Sequence, residues 1–164
     1  MFSAEFTSHA ERLLAALRSR GLKLATAESC TGGLIAALFT EIAGASDVYE
    51  RGFVTYSNAA KVGVLNVDFE LLLRQGAVSP EVAEAMAIGA RRASAADVTL
   101  AVTGIAGPEG GTDAKPVGLV YVGVAAPGKP TAVRELRFGD IGRSAVRLRT
   151  VAEALAMLDE ALAA

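Results

Sequence analysis

The sequence predicts an α/β sandwich built on a mixed sheet. Three observations carry this. Short apolar runs alternate with helical stretches from the N-terminus to about residue 103, the order that builds parallel strands. Two adjacent strand-like runs then flank Pro127-Gly128, a turn pair that makes the following strands antiparallel. The chain has 164 residues, of which 52% are hydrophobic, enough to close one core, so residues 1–164 are expected to form a single domain.

Phe6, Leu13, Leu14 and Leu17 share one helical face, and Gly21 is a natural stop. A strand is expected over Leu22–Ala27, then a turn at Ser29, then a helix over Leu34–Ile42 that Gly44-Ala45-Ser46 breaks. Thr31 reads as the N-cap of that helix. Val48–Tyr56 reads as a strand through Tyr49, Phe53 and Val54. Ser57-Asn58 caps a short helix ending near Val64, and Asp68–Gln75 forms another. Ser79-Pro80 starts the Ala-rich helix Glu81–Ala93, with serine as cap and proline at the first helical position. Asp97–Thr103 is the next strand. Thr103–Pro116 is a long Gly- and Pro-containing loop, of a length more often functional than idle. Val117–Ala125 and Thr131–Phe138 form the antiparallel pair. Arg143–Leu162 is an amphipathic final helix, with Val146, Leu148, Val151, Leu155, Leu158 and Leu162 near its buried face.

Composition excludes several function classes. The net charge is −2, and aromatic residues make up only 5% with no Trp. No basic footprint or stacking surface for nucleic acid is present. No apolar run approaches the roughly 20 residues needed to span a bilayer. Met1–Ser8 has neither a basic start nor a long apolar stretch, and a single cysteine forbids an intrachain disulfide, so the expected location is cytoplasmic. One His and one Cys do not make a zinc site; a carboxylate-held magnesium stays open, although no metal or cofactor is the expectation.

The chemistry concentrates in Thr26–Gly33, Thr-Ala-Glu-Ser-Cys-Thr-Gly-Gly, set between a strand and a helix. Ser29 is a hydroxyl nucleophile at the turn. Gly32 and Gly33 let the backbone approach a bound group, and N–H groups at Thr31, Gly32 and Gly33 are candidates to hold an oxyanion. Serine needs a base. His9, the sole imidazole, lies among Glu11 and Arg12 and reads as a solvated surface residue, so a Ser-His-Asp triad lacks its middle member. Lysine is the other usual partner. Of Lys23, Lys61, Lys115 and Lys129, Lys61 sits in Tyr56-Ser57-Asn58-Ala59-Ala60-Lys61, at the end of a strand. It reads either as a partly buried base of lowered pKa or as an exposed helix lysine. Thr103-Gly104-Ile105-Ala106-Gly107-Pro108 follows a strand as phosphate-cradling loops do, but lacks the Lys-Ser/Thr of a Walker motif. Glu109 and Asp113 read as solvated loop acids, Cys30 as a small core-facing side chain. Arg143 and Arg147 open the last helix, placed to pair with a phosphate or simply to solvate it.

Together these segments resemble the CinA C-terminal domain family, the nicotinamide-nucleotide amidohydrolases. The matching stretches are Ala27–Gly33, Tyr56–Lys61, Gly76-Ala77-Val78-Ser79, Thr103–Pro108 and Lys115-Pro116-Val117-Gly118, in that order along nearly the whole chain. The resemblance implies a three-layer α/β/α sandwich with a mixed sheet. It implies hydrolysis of the carboxamide of nicotinamide mononucleotide to nicotinate mononucleotide and ammonia, in pyridine nucleotide recycling. Ser29 is then the nucleophile, Lys61 its base, Tyr56 a nearby orienting hydroxyl, and Asn58, Thr103 and Gly104 part of the substrate site. Larger members carry a preceding domain; this chain resembles the stand-alone form. The family's Gly-Asp-Arg is here Gly139-Asp140-Ile141-Gly142-Arg143, with two residues inserted. Arg143 keeps the family's distance to Val146-Arg147 and aligns with the arginine that meets the nucleotide phosphate. The expected partner is a small-molecule nucleotide, and the expected assembly a homo-oligomer, a dimer. Two rival readings use the same residues: a nucleotide-binding module without turnover, and a metal-dependent hydrolase using Glu28, Glu109 and Asp113.

Overall fold

A computed structural model describes residues 2–163. Met1, the first residue of the segment considered above for a leader, and Ala164 lie outside the described residues. The strands are β1 (Leu24–Glu28), β2 (Tyr49–Val54), β3 (Val98–Gly104), β4 (Leu119–Ala125) and β5 (Ala132–Arg137). The helices are α1 (Ala4–Ser19), α2 (Leu34–Thr40), α3 (Asn58–Leu65), α4 (Phe69–Gln75), α5 (Pro80–Arg92) and α6 (Arg143–Ala163), with a 3-10 turn at Ala45–Asp47. The strands form one mixed sheet in the order β2-β1-β3-β4-β5. β1 runs parallel to both β2 and β3, and the β3–β4 and β4–β5 pairs are antiparallel. This is the expected α/β sandwich with helices on both faces.

Topology fixes where the site must be. From β1 the chain goes through α2 to β2 on one side, then through α3, α4 and α5 to β3 on the other. Right-handed crossovers running in opposite directions place their helices on opposite faces. Accordingly α2 packs with α1 and α6 around Leu13, Leu17, Phe39, Leu100, Val122 and Leu155. α5 packs on the other face with Ala27, Met86, Ala87, Ala101 and Ala125. The carboxyl end of β1 is therefore a switch point, the place where open α/β sheets bind ligands.

The Ala-rich character of α5 has a packing cause. The sheet face beneath it is built from small residues, and a Cβ added at Gly123 would stand 2.8 Å from the Ala83 carbonyl oxygen. α5 also presses on the end of α3, where a Cβ at Gly89 would lie 2.1 Å from the Leu65 carbonyl oxygen. That contact sets the height of α3, and with it Lys61. Gly89→Ala should destabilise the protein by about 1–3 kcal/mol, the range for overpacking, because the obstacle is backbone and the helix-propensity gain is smaller. A urea midpoint equal to wild type would refute this.

Element boundaries fall within two residues of the sequence expectation for every strand, and the first helix begins at Ala4, with the Ser3 hydroxyl accepting from the Phe6 N–H. His9 is not in the site: on α1, its Nε2 pairs with Asp159 of α6 at 2.5 Å. No described helix is long and apolar enough to cross a membrane.

Candidate active site

Ser29 is the first residue past β1. Its N–H donates to the Val102 carbonyl at 3.0 Å, which extends the β1–β3 pairing and fixes the backbone there. The chain then turns through Gly32 (φ +61°) and Gly33 (φ +93°), left-handed values that glycine adopts without strain. The N-cap of α2 is Gly33, not Thr31, and Thr31 makes no side-chain cap bond. The cap comes from Glu28. Its fully buried carboxylate accepts from the N–H groups of Gly33 (3.0 Å), Ile35 (3.1 Å) and Ala36 (2.8 Å). This alters the oxyanion assignment. The Gly33 amide is held by Glu28 and the Gly32 amide donates to the Ser29 carbonyl at 3.0 Å, so neither is free for a ligand. The amides of Cys30 and Thr31, in the same turn, make no backbone hydrogen bond among the described residues.

Lys61 enters from α3, whose N-terminus is capped by the Ser57 hydroxyl accepting from the Ala60 N–H at 3.1 Å. One turn into the helix, the side chain runs back beneath the strand ends and is 1% exposed. Nζ lies 3.0 Å from Ser29 Oγ, 3.0 Å from the Thr55 carbonyl oxygen and 3.4 Å from the Tyr56 carbonyl oxygen. Of the two readings left open by the sequence, the structure gives the buried one. Burial lowers the lysine pKa, and no carboxylate stands among its partners to oppose that. As an ammonium, Nζ donates to Ser29 Oγ and to both carbonyls; once deprotonated, it has two N–H groups for the carbonyls and a lone pair for Ser29 Oγ.

Ser29 and Lys61 lie at the floor of a cavity of about 260 Å³ that also receives Tyr56, Asn58, Thr103, Gly104 and Arg143. Thr103 is buried, and its hydroxyl donates to the Ala77 carbonyl at 2.7 Å, tying the α4–α5 connection to the end of β3. Gly104 lets β3 meet β4 closely, since a Cβ there would stand 2.6 Å from Val120 Cγ2. Arg143, the first residue of α6, crosses the mouth. It donates to the Gly107 carbonyl and to Tyr56 Oη, each at 2.8 Å. Tyr56 is thus held at the rim, 58% exposed. Asn58 lines the same rim. Arg147 does not line the cavity. Its Nη2 donates to the Thr31 carbonyl at 2.8 Å, behind the serine turn. Lys115 donates to the Gln75 carbonyl and serves the loop. A larger groove of about 450 Å³ between α3, α4 and α5 is lined by neither Ser29 nor Lys61.

The metal-dependent reading does not fit this arrangement. Glu28 gives its carboxylate to three amides, and no three His, Cys, Asp or Glu side chains converge on one point among the described residues. Cys30 is buried beside Ser29, and burial pushes its thiol up to about 11, so at neutral pH it is not a thiolate nucleophile. Sequence reasoning missed the role of Glu28. The signal was there: an acid directly before Ser29, followed by a helix whose N-cap position is glycine.

The CinA C-terminal domain family model matches residues 6–162. Nicotinamide-nucleotide amidohydrolase PncC of Escherichia coli strain K12 is 47% identical over 159 residues, covering 96% of this chain and 95% of that protein. A CinA-like protein of Anaeromyxobacter sp. strain Fw109-5 is 52% identical over 150 residues, which are 92% of this chain but only 36% of that longer protein. The crystal structure of competence/damage inducible protein CihA from Agrobacterium tumefaciens superposes with a TM-score of 0.96 at 49% identity, covering 100% of this chain and 99% of that one. A match that runs from the first helix through the last, on a fold shared end to end, shows that this chain belongs to the CinA C-terminal domain family.

Proposed function

We propose that the protein is a nicotinamide-nucleotide amidohydrolase, converting nicotinamide mononucleotide and water to nicotinate mononucleotide and ammonia by a Ser-Lys mechanism. The observation that carries it is the buried Lys61 amine 3.0 Å from Ser29 Oγ, with two carbonyls taking its other hydrogen-bond directions. A binding module has no need to bury a lysine without a counter-ion, which costs free energy. The 47% identical Escherichia coli amidohydrolase supports the substrate class.

Neutral Lys61 takes the Ser29 proton as Oγ attacks the carboxamide carbon. The amides of Cys30 and Thr31 receive the developing oxyanion, a contribution of roughly 3–4 kcal/mol per donor in characterised hydrolases. The C–N bond breaks, the Lys61 ammonium returns the proton to the departing nitrogen, and ammonia leaves. Water then attacks the acyl-serine, giving one proton to Lys61, and Lys61 passes it to Ser29 Oγ as the carboxylic acid leaves, which loses its remaining proton to solvent as nicotinate mononucleotide. Arg143 exchanges its bonds to Gly107 and Tyr56 for the substrate phosphate.

Ammonia release from nicotinamide mononucleotide and from its phosphate-free nucleoside tests this. The nucleotide is turned over and the nucleoside is poor. Arg143→Ala should raise KM for the nucleotide about tenfold, with a smaller effect on kcat, as for a lost charge-assisted hydrogen bond at an exposed site. No ammonia from either compound ends the proposal. An equal loss for both substrates in the variant would return Arg143 to a structural role.

A further inference from the structure

Glu28 and Arg147 are the two charged groups closest to the serine turn that the proposed chemistry does not use. They grip its opposite poles. The Glu28 carboxylate holds the amides of Gly33, Ile35 and Ala36 where the turn becomes α2. The Arg147 guanidinium, reaching from α6, holds the Thr31 carbonyl at the crest. An anion on the donors and a cation on an acceptor suit both poles of the peptide dipoles.

Helix capping alone does not explain the arrangement. α1, α3, α4 and α5 each take a local cap from Ser3, Ser57, Asp68 and Ser79. α2 instead starts on glycine and takes a carboxylate from five residues back, with Ser29 lying inside the span. A buried carboxylate with no cation bonded to it is costly unless its hydrogen bonds are complete, and the left-handed backbone of Gly33 (φ +93°) leaves no place for a local serine or aspartate cap. What the distant cap adds is a link from the rigid end of β1 to the start of α2, enclosing a turn with two glycines that would otherwise be loose. A nucleophile must be held within about 0.5 Å of its productive position.

We infer that Glu28 and Arg147 are positioning residues that brace the Ser29 turn from its two ends and set the nucleophile's reactivity. The inference rests on the amidohydrolase reading, since it takes Ser29 as the nucleophile. It also removes Arg147 as an alternative phosphate reader.

The test is the rate at which phenylmethylsulfonyl fluoride labels Ser29, followed by intact-protein and peptide mass spectrometry and normalised to folded protein from circular dichroism. It is run on wild type, Glu28→Gln, Arg147→Met and Arg147→Lys, alongside steady-state ammonia release. Labelling and kcat should both fall at least tenfold in Glu28→Gln and Arg147→Met. KM for the nucleotide should change less than twofold, the loss should be equal for the phosphate-free nucleoside, and Arg147→Lys should recover part of it. If Glu28→Gln does not fold, Arg147→Met decides, because that side chain is only half-buried and its guanidinium bonds the Thr31 carbonyl. Wild-type labelling rates in the folded variants overturn the brace alone. So does a loss confined to the phosphate-bearing substrate, which would make Arg147 a phosphate reader. Absence of labelling at Ser29 in wild type overturns the nucleophile, and the amidohydrolase reading with it.

Discussion

Ser29→Ala should abolish ammonia release, by about three orders of magnitude or more, as for other nucleophile deletions, while the protein stays folded. The physical case is that nothing nearby can substitute. Cys30 is adjacent, yet burial holds its thiol protonated, with a pKa pushed up to about 11. The Thr31 hydroxyl is buried and makes no hydrogen bond. The Tyr56 hydroxyl stands at the rim, bonded to Arg143. The fold should tolerate the change because the Ser29 backbone bonds to Val102 and Gly32 do not involve the side chain. What the variant loses is one partner of Lys61, whose two carbonyl contacts remain. Ammonia release is measured beside a thermal melt. Wild-type turnover in a folded Ser29→Ala protein would remove the nucleophile from the mechanism. Unfolding would show that Ser29 is chiefly a structural residue of the turn.

The elements were legible in the sequence because punctuation and periodicity agree at most boundaries: Ser57, Asp68 and Ser79 cap the helices they precede, and Pro80 stands at a first helical position. The strand order was not. β1, β3 and β4 are buried along their length, so they carry no alternation from which a neighbour could be read. The serine was legible as a polar turn between apolar elements. The state of Lys61 was not, because its spacing suits an exposed helix lysine as well. Only the return of α3 beneath the strand ends, set by α5 through the Gly89–Leu65 contact, decides between the two. The cap of α2 was misplaced for a related reason. A local rule favours Thr31 as the capping side chain, but the acceptor lies five residues before the N-cap, at the end of a strand. The division of labour between Arg143 and Arg147 was equally hidden. They are one helical turn apart, and a small rotation sends one over the cavity mouth and the other behind the turn.

Lys61→Arg should be nearly inactive although it preserves the positive charge and most of the length. The reaction needs a neutral lone pair facing Ser29 Oγ, and a guanidinium remains protonated at any accessible pH. The same requirement fixes the sign of the pH dependence. Burial lowers the Lys61 pKa, so the neutral base appears at a lower pH than for an exposed lysine. Below that lowered pKa the ammonium donates to Ser29 and cannot accept from it. kcat/KM should therefore fall on the acid side with a single protonation, and rise with pH to a plateau reached below the usual lysine value of about 10.4. Stability follows the same titration. The folded protein binds the Lys61 proton less tightly than the unfolded chain, so this residue's penalty is greatest below the folded pKa and fades as pH climbs toward the unfolded value. A pH profile of ammonia release in wild type and Lys61→Arg, with melting temperatures over the same range, reads both effects. Substantial activity in Lys61→Arg, or a wild-type profile without an acid limb, would mean that another group takes the Ser29 proton.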